Sequence, residues 1–264
     1  MKQELQSPPA GKKLHIFILT VAVIFMIIHL VLSMSAPEKK LNELRTAYGP
    51  DKNIKNPPDE RILADPTYLA LMKEKAYYQS RVTMAASDSI YMTVNLADST
   101  VNLEIGGVVV HTARILRKRI SSILQRDEYA ILNMLSSPFT IASDVSTIRK
   151  EPLMIKMAPR DTSEYQPDMI PDTTDFEPVN FILLMENGLK LHVYQDEKLK
   201  KGDNFHRFLF DLRDRLETTA ASLSRTITFR VPEYYPAIRI RLARGDVKRI
   251  YRALPYRGQI GIYR

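Results

Sequence analysis

Residues 14–33 form an apolar run of 20 residues with no Asp, Glu, Lys or Arg. At 1.5 Å per residue, a helix of that length spans about 30 Å, the thickness of a hydrocarbon core. The run predicts a membrane helix over 14–35, with 1–13 as a cytoplasmic tail. It exceeds the roughly 7–15 apolar residues of a signal peptide, so an uncleaved anchor is expected. Ser33-Met34-Ser35 leaves cleavage as the alternative. His15 and His29 fall near the two ends of the run, where the interface can solvate them. Lys2, Lys12 and Lys13 outweigh Glu4 ahead of the span, which places that end in the cytoplasm. Lys39, Lys40 and Arg45 come after the span and pull the other way. The expected location is the inner membrane, single-pass, with the C-terminal domain periplasmic or extracytoplasmic.

Composition narrows the chemistry open to the rest of the chain. Cysteine is absent from all 264 residues, which excludes disulfides, thiolate metal sites and a cysteine nucleophile. Of five histidines, His15 and His29 lie in or beside the apolar run. At most three remain for a soluble site, which argues against a His-rich metal centre. No cofactor is indicated.

Residues 36–87 are read as juxtamembrane linker and stalk. A short charged helix is expected over 37–48, then a linker over 49–58 with Gly, Asn and three Pro. Asp65-Pro66 is an N-cap followed by Pro at the first helical position. Leu69, Met72 and Ala76 continue at helical spacing, and packing of this helix on the domain is favoured over a coiled coil.

From residue 88 the pattern becomes β-rich. Ile90, Met92, Val94 and Leu96 alternate with polar residues, as do Val101, Leu103 and Ile105. Turns at 97–99 and at Gly106-Gly107 separate three strands, a spacing that predicts an antiparallel sheet. Arg117, Lys118, Arg119 and Arg126 flank Ile120, Ile123 and Leu124, which reads as a basic amphipathic helix. Asp127 and Glu128 come immediately after, so a solvated face is favoured over lipid or nucleic acid, and no nucleic-acid partner is expected. Residues 159–178 hold six acids and four prolines and form an insertion loop. Their spacing does not fit a calcium loop. Asn187-Gly188 between two apolar runs is a hairpin signal. Asp203 then opens an amphipathic helix with Phe205, Phe208, Leu209, Leu212 and Leu216 on one side, and His206 lies beside that stripe.

Residues 225–264 carry ten Lys/Arg against two acids, a surplus equal to the +8 of the whole chain. A basic surface here would attract carboxylates and fade with salt. Within it, the strand-like Ala237-Ile238-Arg239-Ile240-Arg241-Leu242 leads to a short helix with Asp246 in its first turn. A Pro255–Gly258 turn and the strand Gln259-Ile260-Gly261-Ile262-Tyr263 end the chain.

This order of elements resembles the end of the L,D-transpeptidase (YkuD-type) catalytic domain. There a Ser-His-Gly-Cys-x-Arg-Leu strand precedes a short Asp-containing helix, a Pro/Gly turn and a last Val-x-Ile-Tyr strand. The opening hairpins, from Ser89-Ile90-Tyr91-Met92 through Gly107-Val108-Val109-Val110, are similar to that domain's start. The resemblance implies a mainly β (β-rich α+β) ectodomain over 88–264, like the L,D-transpeptidase β-sandwich. If Ile240-Arg241-Leu242 takes the place of x-Arg-Leu, Arg239 stands at the nucleophile position. Pro236, Ala237 and Ile238 then stand where the family has Ser, His and Gly. In those enzymes a Cys thiolate attacks a peptide carbonyl with a His as its base, whereas arginine stays protonated and cannot attack.

The resemblance therefore implies a pseudoenzyme of the bacterial envelope that binds peptidoglycan or an envelope protein, with no catalytic residue. Arg239, Arg241 and Arg244 are its degenerate-site residues. On a strand, Arg239 and Arg241 share one face. They are either a clamp for one anionic group or a solvated basic edge. The alternative is an active peptidoglycan-modifying transferase or hydrolase with a Ser or Thr nucleophile activated by His111 or His192. No G-x-S-x-G or S-x-x-K setting supports it.

Overall fold

A computed structural model describes residues 10–49, 65–126, 128–150, 178–197 and 203–264. Residues 50–58 of the linker expected over 49–58, and most of the acidic insertion over 159–178, lie outside the described residues. The chain divides into two compact units: Met1–Glu43 with Arg213–Tyr234, and Leu44–Leu212 with Tyr235–Arg264.

In the first unit, α1 (Ala10–Tyr48, whose last turn belongs to the second unit) carries the apolar run. Its most apolar stretch has a mean hydropathy of 2.8 and is wholly unburied, so this helix is long and apolar enough to cross a membrane. The sequence suggests a break before the charged segment at 37. Instead the helix runs through Pro37 without interruption. Proline removes one backbone hydrogen bond. Residues 38–45, rich in Glu, Lys, Leu and Arg, are strong helix formers that carry the helix past it.

The second unit is a mixed β-sheet with helices packed on it. Its strands are β1 (Tyr91–Asn95), β2 (Thr100–Ile105), β3 (Val108–Arg114), β4 (Arg117–Ile120), β5 (Phe139–Ser146), β6 (Asn180–Met185), β7 (Lys190–Gln195), β8 (Ala237–Leu242) and β9 (Gln259–Tyr263), in the order β3-β2-β1-β9-β5-β6-β7-β8-β4. Most neighbours are antiparallel, as the hairpin signals predict. Two pairs, β1 with β9 and β7 with β8, are parallel. Parallel neighbours need long crossovers, so their pairing is written far apart in the chain.

Only Ile115 and Leu116 separate β3 from β4, although these strands stand at opposite ends of the sheet order. Two residues cannot bridge a flat nine-stranded sheet, because adjacent strands alone are about 4.8 Å apart. The sheet must curl until its ends meet. Ile115 N–H donates to Ser99 O and Leu116 N–H to Arg241 O, stitching both ends at this seam. Lys118 Nζ, on β4, donates to Leu96 O across the same seam.

Helix α2 (Pro66–Ala85) begins as the sequence predicts, with the Asp65 side chain accepting from Thr67 N–H. It buries Ala76, Tyr77, Ser80 and Met84, and its contacts with β9 place it on the sheet. Gly261 on β9 lies under this helix, where a Cβ would meet the end of the Met84 side chain, Cε, at 2.6 Å. Helix α3 (Tyr129–Leu135) holds the last turn of α1: Arg45 reaches Glu128 through two hydrogen bonds of 2.9 and 3.1 Å, and Asn133 donates to Tyr48 O. Helix α4 (Asp203–Ile227) and helix α5 (Arg244–Ala253) complete the described elements. Helix α5 buries Val247, Ile250 and Tyr251, with the Tyr251 ring centroid 5.1 Å from that of Phe181.

Candidate anion-binding cleft

Strand β8 explains why arginines accumulate at one place. Its burial alternates strictly: Ile238, Ile240 and Leu242 point into the core, and Ala237, Arg239 and Arg241 point away from it. On one side β8 pairs with β7, setting Arg239 opposite His192 and Arg241 opposite Tyr194. On the other it pairs with β4, setting Arg239 opposite Arg119 and Arg241 opposite Arg117. Residues directly opposite on neighbouring strands share a face. Four arginines therefore form a two-by-two array on the face away from the core, bordered by His192 and Tyr194.

The segment 117–126 is thus not the helix that its basic and apolar spacing suggests. Residues 117–120 form β4, and only Ser122–Gln125 makes a short 3₁₀ turn. Pairing with β8 completes the hydrogen bonds of the sheet's last strand, and the long-range ladder overrides a weak local preference.

The first part of α4 lies over this face. Tyr194 Oη donates to Asp211 Oδ1 at 2.7 Å and lies 3.1 Å from His192 Nδ1. A cleft of about 270 Å³ lies between, lined by Arg117, Arg119, Arg207, Asp211, Arg239 and Arg241, among others. Asp196 sits at its rim, 3.5 Å from Arg241 and 3.6 Å from Arg117. Five guanidiniums face two carboxylates here, so the cleft is positive. Arg239 Nε is buried and finds no hydrogen-bond partner among the described residues. An arginine remains charged whatever its setting, and a buried donor without an acceptor costs about 1–3 kcal/mol. An entering anion would supply the missing acceptor, and guanidinium groups can hold a carboxylate through two parallel hydrogen bonds.

Of the residues singled out from sequence, Arg239 and Arg241 come together in this cleft. Arg244 does not line it: it begins α5, where its backbone N–H donates to Glu197 Oε2 at 2.6 Å. Arg117 and Arg119 are conspicuous in the sequence as basic residues, but their spacing there fits a helix. Arg207 and Asp211 do not stand out from the rest of α4. The Arg-x-Arg alternation on either side of Lys118 is the available signal for an outward strand face. His111 lies apart from the cleft lining, with Nε2 3.1 Å from Asp246 Oδ1. Among the described residues no group of three or more His, Cys, Asp or Glu could hold a metal ion.

No protein-family model, curated protein or solved structure matches this chain.

Proposed function

We propose that this is a membrane-anchored, non-catalytic protein of the bacterial cell envelope whose L,D-transpeptidase-like domain binds carboxylates of peptidoglycan stem peptides in the arginine cleft. The observation that carries this reading is Arg239: it lines a concave, positive cleft, and its buried Nε finds no acceptor among the described residues. The sheet curling back on itself suits the expected sandwich. His192 stands in register beside Arg239 and Tyr194 beside Arg241, so an imidazole and a phenol border the arginines. The cleft lies at or just below the roughly 300 Å³ lower end of small-molecule sites, so it suits a terminal carboxylate group rather than a whole glycan. The surplus of Lys2, Lys12 and Lys13 over Glu4 ahead of the apolar run supports an orientation with the domain outside the cytoplasm, where such peptides are found.

The test is retention of the full-length protein on intact sacculi. Wild-type protein is expected to be retained and to be released by moderate salt. Arg239→Ala with Arg241→Ala is expected to abolish retention. Equal retention of the double variant would overturn the reading. New crosslinks or cleavage products among the muropeptides would show that the domain is an enzyme after all.

A further inference from the structure

We propose that the C-terminal half of α4 and the turn after it rest in the headgroup–acyl boundary of the bilayer that α1 crosses, giving the protein a second, non-spanning membrane contact. The inference rests on α1 spanning the membrane and is independent of the cleft's ligand.

Three observations within the first unit point to it. His29, in the apolar run, is tied to Thr226 of α4 through Nδ1 and Oγ1, 2.8 Å apart. The Thr226 hydroxyl donates to Ser222 O, so His29 Nδ1–H is the donor to Thr226. Thr226 is only 1% exposed. The sequence places His29 against interfacial water; this bond is to the protein instead. His29 lies four residues before the end of the 14–33 run, which is about 6 Å inside the hydrocarbon edge. The bond brings the end of α4 to that depth.

The side chains around Thr226 suit such a place. Leu216, Leu223 and Ile227 recur at helical spacing on one stripe, and Phe229 comes next in the turn. Leu216 is 58% exposed, Ile227 67% and Phe229 74%. Beside a membrane span, the medium that covers such side chains is the bilayer, and an amphipathic helix lying in its plane buries its apolar stripe there. The charges of 213–234 nearly balance, with Arg213, Arg215, Arg225 and Arg230 against Asp214, Glu217 and Glu233. Arg225 is also paired with Glu233. Apolar burial rather than headgroup charge therefore drives the contact, and it should form on uncharged lipid.

The natural lack of cysteine permits a direct test. Single-cysteine variants Ile227→Cys and Phe229→Cys would carry an environment-sensitive fluorophore in the full-length protein, reconstituted in phosphatidylcholine vesicles. Val23→Cys in the span and Tyr256→Cys on the second unit are the references. The labels at 227 and 229 are expected to be quenched severalfold more by acyl-chain nitroxide than by aqueous iodide, like Val23 and unlike Tyr256. Iodide quenching at 227 and 229 equal to that at Tyr256, with Val23 still lipid-quenched, would overturn the proposal while leaving the span intact. Iodide quenching at Val23 as well would show that the span itself fails. Protection at 227 and 229 that disappears as protein is diluted in lipid would assign the surface to a second copy and would equally overturn it.

Discussion

Replacing Arg81 with alanine tests how α2 is held on the sheet. Glu104 is fully buried on β2, and its carboxylate accepts from Arg81 Nε at 2.7 Å, Tyr91 Oη at 3.0 Å and Thr93 Oγ1 at 2.7 Å. Burial and the neighbouring Glu104 carboxylate push the Tyr91 phenol above its ordinary value, so it stays a donor at neutral pH. Arg81→Ala removes the only cation among these partners and leaves two neutral hydroxyls facing a buried negative charge. Breaking a buried pair in this way costs about 3–5 kcal/mol. The Arg81 side chain is partly exposed, so solvent screens it and the lower end, about 3 kcal/mol, applies. At about 2–4 °C per kcal/mol for a domain of this size, Tm should fall by roughly 6–12 °C. Arg257→Ala is the matched control: its 3.0 Å pair with Glu186 is exposed on both sides and should be worth no more than about 1 kcal/mol. The chain has 13 tyrosines and no tryptophan, so near-UV circular dichroism of full-length protein in lipid nanodiscs reports tertiary unfolding through tyrosine. Adding Glu104→Gln to Arg81→Ala should recover part of the loss by removing the orphaned charge. If Arg81→Ala shifts Tm no further than Arg257→Ala does, the buried carboxylate does not need its guanidinium and the reasoning fails.

Other perturbations probe separate parts of the structure. The Arg45 guanidinium, hydrogen-bonded to Glu128, holds that carboxyl below its usual range. Its stabilising contribution should therefore be complete above the usual carboxylate range and vanish as pH falls through the lowered folded value; the Tm difference between wild type and Glu128→Gln, tracked from neutral to acid pH, should shrink accordingly. Gly261→Ala should cost little, because the end of the flexible Met84 side chain can move aside, whereas Gly261→Ile should cost about 1–3 kcal/mol by overpacking α2 against β9, as thermal unfolding would read. Tyr194→Phe removes the hydroxyl shared by His192 and Asp211, and hydrogen exchange should then quicken in the first turns of α4.

Local signals foretold much of this architecture. The Asp65-Pro66 start of α2, the three opening strands, the Asn187-Gly188 hairpin and the β8-α5-β9 ending each rest on a few adjacent residues whose turn chemistry or periodicity is decisive. The candidate cleft was half legible. Arg239 and Arg241 share a face by alternation alone, but their partners Arg119 and Arg117 reach them only through a β4–β8 ladder between segments more than a hundred residues apart. Over 117–126, basic and apolar residues fit a helical period as well as a strand, and nothing local separates the two. Arg207 and Asp211 arrive on a helix whose polar face gives no sign of what it will cover. The parallel pairs β1–β9 and β7–β8 likewise depend on tertiary closure rather than on any turn.

Calorimetric titration of full-length protein with a stem peptide reads whether the guanidiniums around Arg239 hold a carboxylate. The free-acid peptide should bind wild type, with affinity falling as salt rises. The same peptide amidated at its carboxylates should not bind, nor should the free acid bind Arg239→Ala with Arg241→Ala. Equal binding of acid and amide, or binding undiminished in the double variant, would contradict it.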